Sequence, residues 1–359
     1  MTSHGPGPGP GPGSRSRGTG TVGVVGLGLV GGSLTRLLAA RGVDVVATDL
    51  DPGTRADARA VGLRVEDDLA RLCAAGPEMV VLAVPLRAVR ATAAELAPLL
   101  GDGGATLTDV GSVKGPVRAA VRAAGLGDRY VGAHPMAGTE HSGFGASDAA
   151  LLDGAPWAVT VADPGAAAPD EPTRLAQVLR LVTGPLAGTA AVVTDDRHDE
   201  AAALVSHVPH VVATQLLNAV AGAPVRDLAL GLAAGSFRDG TRVALTDPAR
   251  TEAMVTENAA WVAPALRKVV RDLEVVIGAL ETNGSLHDVF HAADEVRERR
   301  SARGPRPDGA AESLAVGTGW RAELVDALVA RCTAGAVVTG VDDDAVHVRV
   351  PRQASSERG

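Results

Sequence analysis

The run Gly26-Leu27-Gly28-Leu29-Val30-Gly31 constrains this chain more than any other feature. It follows a short β-branched stretch, Thr21–Val25, and opens a segment of helical spacing, Ser33–Arg41. A second apolar strand, Val43–Thr48, then ends at Asp49. Strand, glycine turn, helix, strand and acid make a complete βαβ dinucleotide fingerprint. Gly26 permits the tight turn, Gly28 lets backbone approach a pyrophosphate, and Gly31 lets helix and strand pack closely. The phosphates are then expected on the backbone amides of Leu27, Leu29 and Val30, at the helix N-terminus. Asp49, about twenty residues on, is placed to accept from a ribose hydroxyl. A carboxylate there repels a 2′-phosphate, which favours NAD over NADP, although Arg55 keeps NADP open. A plain glycine-rich turn in a parallel sheet is the competing explanation, and it leaves the acid and the spacing unaccounted for.

Further strands are expected at Met79–Val84, closed by Pro85, and at Ala105–Val110, in a doubly wound order. Helices around Arg87–Leu100 and Pro116–Ala124 separate them. Val84 and Pro85, at a strand's carboxyl end, join the expected cofactor contacts. Asp109-Val110-Gly111-Ser112-Val113-Lys114-Gly115 follows the next strand, so Ser112 is placed to meet the nicotinamide end of a cofactor or the substrate. Ser112 also has the spacing to cap the following helix, with Pro116 in its first turn. Tyr130–Ala133 reads as one more strand, delivering His134 into the glycine-rich loop His-Pro-Met-Ala-Gly-Thr-Glu. Isolated histidines in such loops are commonly structural; the strand-end position makes His134 the candidate for chemistry. Trp157–Val161, a helix from Pro172 to Val182, and Ala190–Thr194 complete this half.

From Asp195 the pattern turns helical. Asp196–Ala221 reads as one long helix kinked at Pro209. Ser206 and His210 are four apart and share a face, with His207 inside the same turn, which suggests a pocket wall. Buried histidines bonded to backbone are the plainer alternative. Gly235–Arg242 is a polar break in which Arg238 and Arg242, four apart, could each grip a carboxylate; an ion pair with Asp239 is the simpler expectation for Arg238. Ala259–Leu280 and Leu286–Arg300 read as long helices, and so much helical apolar surface outside a sheet suggests burial between subunits. Ser301–Gly309 is a Gly/Pro linker, followed by strand, helix, strand, strand at Glu312–Val316, Trp320–Cys332, Gly335–Val341 and Ala345–Val350. Asp342–Asp344 forms the expected hairpin tip, and so small a unit should lean on the main body or on a partner chain.

The fold class is therefore an α/β Rossmann-type nucleotide-binding domain, an all-α dimerisation and substrate domain, and a small βαββ C-terminal unit. The expected boundaries are 1–20 for a disordered Gly/Pro leader, 21–194, 195–302 and 303–359. A formal charge of −8, with no long basic run, argues against nucleic acid and anionic membranes. Two distant cysteines, Cys73 and Cys332, fit a reducing compartment and offer neither a disulfide framework nor a metal site. With no membrane-length apolar run and no secretion signal, cytoplasm is the expectation.

Taken together, the glycine fingerprint, Asp109–Lys114, His134–Gly143, Ser206-His207-Val208-Pro209-His210 and Phe237–Arg242 resemble the prephenate/arogenate dehydrogenase family of tyrosine biosynthesis, over about Val22 to Arg300. The resemblance implies NAD-dependent oxidation of a cyclohexadienol with loss of carbon dioxide, without metal. It implies His134 as general base and Ser112 as the residue orienting hydroxyl and nicotinamide. It also implies Arg242 as carboxylate ligand, Ser206, His207 and His210 along the substrate side chain, Thr139 and Glu140 in the same loop, and a homodimer through the helical domain. Many relatives carry a C-terminal amino-acid-sensing ACT domain; the tail here lacks its glycine-bearing ligand signature, and the leader has no counterpart. A β-hydroxyacid dehydrogenase would need a Lys on the first helix after the sheet, and Asp196–Ala221 has none. A non-catalytic NAD sensor on the same fold would have no use for His134 together with Arg242.

Overall fold

The computed structural model describes residues 20–163, 167–302 and 309–351. The Gly/Pro leader up to residue 19 and linker residues 303–308 lie outside the described residues.

Four parallel strands, β1 (Val22–Val25), β2 (Val45–Thr48), β3 (Met79–Leu82) and β4 (Thr106–Asp109), form a sheet in the order β2-β1-β3-β4. Every residue in them is buried, as expected of parallel strands covered on both faces. Side chains alternate between two cores: Val22 and Val24 enter one, and Val25 the other. Helices α1 (Leu29–Ala40), α2 (Pro52–Ala60), α3 (Leu69–Ala74), α4 (Val89–Leu100) and α5 (Gly115–Ala123) connect the strands. From central β1 the chain passes first to β2 on one side and then to β3 on the other. The sheet's switch point therefore lies at the carboxyl ends of β1 and β3, where such sheets bind ligands.

The next strands do not simply continue that parallel order. β5 (Gly132–Pro135) runs antiparallel to β6 (Pro156–Val161), which is parallel to β7 (Thr189–Thr194) after helix α6 (Glu171–Thr183). A single parallel bridge between Leu107 and Tyr130 joins β4 to the start of this second sheet.

The helical region comprises α7 (Asp195–Ala202), α8 (Val208–Ala221), α9 (Arg226–Gly231), α10 (Gly235–Thr241), α11 (Pro248–Glu257), α12 (Ala259–Glu281), α13 (His287–His291) and α14 (Asp294–Ala302). The helix expected over Asp196–Ala221 runs unbroken from Asp195 to Ala221, with a π turn, Ala203–His207, inside it. Pro209 has no N–H to donate to the preceding turn. The chain widens before it and places Pro209 in the first turn of α8, where that donor is not needed. The expected Leu286–Arg300 helix is divided. Asp294 opens a new helix and holds His291 Nδ1 at 2.7 Å across the break.

The C-terminal β8 (Gly309–Ala315), α15 (Ala322–Thr333), β9 (Val337–Val341) and β10 (Ala345–Pro351) occur in the expected order. They extend the second sheet as β5-β6-β7-β9-β10-β8, with Ala190 opposite Val338 at the junction. The unit shares the main core through Leu328, Val338 and Val346.

Candidate active site

At the glycine turn, each glycine does a different job. Gly26 has φ +99°, and a Cβ there would meet the Ala83 carbonyl at 2.6 Å, so the turn and its contact with the end of β3 both require glycine. A Cβ on Gly31 would meet the Gly26 carbonyl at 2.0 Å, which fixes the close approach of α1 to β1. A Cβ on Gly28 would meet nothing within 4 Å. The loop is thus open just where the amides at the start of α1 point outward, and no side chain caps that helix. Leu29 is buried and Val30 half-buried, so each can offer a phosphate only its backbone amide; the Leu27 amide, expected from sequence to join them, is instead committed to Asp49. Val84 and Pro85 follow β3 directly beside Gly26. Asp49 Oδ2 accepts from the Leu27 amide at 2.6 Å and Oδ1 from Asp51 at 2.9 Å, which holds the carboxylate beside the turn. Arg55 is occupied with the carbonyls of Asp49 and Leu50, at 2.6 and 3.0 Å. These features fit a dinucleotide.

A buried ion pair ties the second strand end to the next. Lys114 is fully buried, bonded through Nζ to Asp109 and, at 2.7 Å, to the carbonyl of Ala133. Asp109 also accepts from the Tyr130 hydroxyl at 2.8 Å and the Gly111 amide at 2.8 Å. Burial first, and then the Asp109 charge, keep Tyr130 a phenol far above its ordinary range, so it remains a donor. Removing one partner of such a pair costs about 3–5 kcal/mol, because a charge is left buried alone. Lys114 and Asp109 thereby clamp the Ser112 loop to the end of β5, which carries His134.

Ser112 does not cap α5. Its hydroxyl makes no hydrogen bond to another described residue, and the N-cap position is Lys114. The capping acceptor comes from elsewhere in the chain: Asp199, on α7, takes the amides of Lys114 at 2.8 Å and Gly115 at 2.9 Å. Spacing made Ser112 one candidate for that cap; the fold brings in a full carboxylate, a stronger partner for the helix dipole.

His134 is half-buried at the end of β5 and lies 3.0 Å, Nδ1 to Nε2, from His198. His198 Nδ1 is 2.7 Å from Asp199 Oδ1. Asn258, at the start of α12, donates to the Asp199 carbonyl at 2.8 Å and lies 2.9 Å from His207 Nδ1. A continuous polar chain thus runs from His134 through His198, Asp199 and Asn258 to His207. Burial, together with the neighbouring His198, Lys114 and His207, holds His134 well below the usual imidazole range. Burial likewise lowers His207 to about 4. Both rings are neutral at ordinary pH. His207 Nε2 is buried and makes no hydrogen bond to a described residue.

One turn on, His210 donates through Nδ1 to the Ser206 carbonyl at 2.8 Å. The bond fixes its ring and leaves Nε2 as an acceptor. Arg242 is exposed at the start of a short 3₁₀ turn that packs on α8, and neither it nor Arg238 forms an ion pair among the described residues; the Arg238–Asp239 pair expected from sequence is absent there. Thr139 and Glu140 lie in the loop after β5, where Thr139 Oγ1 takes the His141 amide at 3.3 Å and Glu140 is 3.8 Å from His141 Nε2. Arg250 on α11 latches this loop by the carbonyls of Thr139 at 2.9 Å and His141 at 3.4 Å. No hydrogen bond among the described residues links Arg242, Thr139 or Glu140 to His134.

Sequence reasoning missed His198, Asp199, Asn258, Lys114 and Arg250. The adjacent His198-Asp199 at the start of the helical region is the one local signal that could have drawn attention. Among the described residues no three potential ligands are grouped to hold a metal ion, and no helix is long and apolar enough to cross a membrane.

Comparison with known proteins agrees with this architecture. Residues 34–193 match the nucleotide-binding domain of prephenate dehydrogenase, and residues 194–291 match its dimerization domain. Cyclohexadienyl dehydrogenase of Zymomonas mobilis is 32% identical over 79% of this chain and 94% of its own. The crystal structure of Aquifex aeolicus prephenate dehydrogenase in complex with hydroxyphenyl propionate and NAD+ superposes with a TM-score of 0.70 at 29% identity, covering 80% of this chain and 99% of that one. Synechocystis arogenate dehydrogenase gives a TM-score of 0.65 at 28% identity, over 78% and 99%. With its Rossmann-like sheet, its helical domain and the polar chain between them, this protein belongs to the prephenate dehydrogenase family.

Proposed function

We propose that this protein is an NAD-dependent prephenate dehydrogenase, converting prephenate to 4-hydroxyphenylpyruvate with release of carbon dioxide. The observation that carries the reading is the polar chain from His134 to His207, which joins the end of β5 to the Ser206–His210 segment.

NAD, when bound at the glycine turn, supplies the hydride acceptor. His134, neutral and fixed through Nδ1, takes the proton of the ring hydroxyl as hydride departs. Ser112 orients that hydroxyl; its own hydroxyl is uncommitted and the loop is held by the Lys114–Asp109 clamp. The ring carboxylate then leaves as carbon dioxide, its bonding pair completes the aromatic ring, and His134 returns the proton to the phenolic oxygen. Aromatisation drives the step, so this chain needs no covalent nucleophile. Arg242 holds a substrate carboxylate by its planar fork. Ser206, His207 and His210 line the side chain, with Thr139 and Glu140 at the loop edge.

The protein acts as a homodimer through its helical domain. Support comes from the match to a dimerization domain and from the apolar residues Leu228, Val270, Leu273, Ile277 and Leu280, each about half exposed or more on the isolated chain.

Following NADH absorbance with prephenate and with arogenate in turn tests the proposal. Turnover of prephenate is expected. Turnover of arogenate alone would move the assignment to arogenate dehydrogenase, and turnover of neither would leave a nucleotide-binding sensor.

A further inference from the structure

We propose that His198 is a positioning residue: through Asp199 it fixes His134 in the tautomer that leaves Nε2 bare and ready to accept a proton. The inference rests on the reading of His134 as the base and specifies how that base is prepared.

The argument begins at Asp199. Its two carboxylate oxygens accept the amides of Lys114 and Gly115, which can only donate. Toward His198 it is therefore an acceptor as well, and His198 Nδ1, at 2.7 Å, must carry the hydrogen. If that is the only N–H His198 carries, its Nε2 presents a lone pair. That lone pair faces His134 Nδ1 at 3.0 Å, with the rings meeting edge-on at 71°. His134 Nδ1 must donate, and its Nε2 is left bare. Each step passes one constraint along the chain, and the backbone amides of α5 set the direction.

The charged and titratable groups about His198 are His134 on β5, Lys114 at the start of α5, Asp199 beside it, and His207 in the π turn. Burial first, and then the neighbouring His198, Lys114 and His207, disfavour a second proton on His134, which keeps the single-tautomer state populated. Without His198 the His134 Nδ1–H loses its acceptor. The ring is then free to carry its hydrogen on Nε2, the tautomer that free imidazole side chains favour and that is useless for accepting the hydroxyl proton.

The test uses the full-length protein with bound NAD. Ring ¹⁵N spectra of ¹⁵N-histidine-labelled protein, with His134 assigned by comparison with His134→Asn, report the tautomer directly. The wild type should show His134 protonated at Nδ1 and bare at Nε2. His198→Leu should show Nε2 protonated or a mixture, with kcat reduced on the order of a hundredfold and KM for substrate within about threefold. His198→Gln can offer a carboxamide oxygen to His134 and an N–H to Asp199, and should recover at least about tenfold of that loss. An Nε2-protonated His134 in the wild type overturns the proposal, whatever the variants do. So does a His198→Leu enzyme with kcat within about threefold of wild type, or a His198→Gln enzyme no better than His198→Leu. If His134→Asn retained normal turnover, the base assignment would fail, while the wild-type tautomer would still stand or fall on its own spectrum.

Discussion

The side-chain amide of Asn258 lies 2.9 Å from Nδ1 of the buried His207. Because Asn258 also donates to the Asp199 carbonyl, its nitrogen is the atom turned toward His207, and the imidazole accepts there. His207 must then carry its hydrogen on Nε2, which is buried and bonds to no described residue. A substrate carboxylate whose binding opens the packing over His207 would supply the missing acceptor. His207→Leu should raise KM for prephenate about tenfold, the value of one charge-assisted hydrogen bond, with a smaller change in kcat. An unchanged KM would show that the Nε2 hydrogen faces something other than substrate.

The proposed role of His134 as base predicts a different signature. His134→Asn keeps the side chain's size class and removes the proton acceptor. Its kcat should fall by about two orders of magnitude or more while KM is largely kept. Near-normal turnover in steady-state assays would remove His134 from the mechanism.

Both histidines have consequences for pH. A base held well below the usual imidazole range stays neutral through pH 6.5, so the acid limb of kcat/KM should lie clearly below that value. A limb at or above 6.5 would mean the base is another group. For stability the sign is the opposite of a salt-bridged histidine. His207 has its folded-state value lowered to about 4 from an ordinary 6.5, so the unfolded chain takes up a proton first. Its contribution is fully present above 6.5, is lost as pH falls toward about 4, and changes little below that. Urea midpoints measured at intervals across this window should decline, and His207→Leu should flatten part of the decline.

Arg242 is exposed and carries no ion pair among the described residues, so its substitution costs the fold little. Arg242→Gln should chiefly raise KM, by about tenfold or more, at nearly unchanged melting temperature. A KM equal to wild type would place the carboxylate contact on another residue.

Asp49 stands beside the glycine turn, held by the Leu27 amide. Asp49→Ala removes the charge that repels a 2′-phosphate, and the ratio of kcat/KM for NAD over NADP should fall. If the ratio does not move, a different residue reads the ribose.

Local pattern determined a large part of this protein. The glycine fingerprint specified β1, its turn and α1, because only glycine tolerates a φ of +99° at Gly26 and the 2.0 Å approach that a Cβ on Gly31 would make. Apolar runs marked the buried strands, and β5 was legible as the strand that delivers His134. Tertiary structure decided what surrounds that histidine. Nothing near Gly115 in sequence announces that Asp199, more than eighty residues away, caps its helix, or that the same carboxylate orders His198 and, through it, His134. It also decided that a π turn would precede Pro209, and that the last strands would join the second sheet. The physical reason is range. Backbone conformation and side-chain periodicity are set by neighbours a few residues apart. A buried donor takes whichever acceptor the packed chain brings within 3 Å, and sequence distance does not enter that choice.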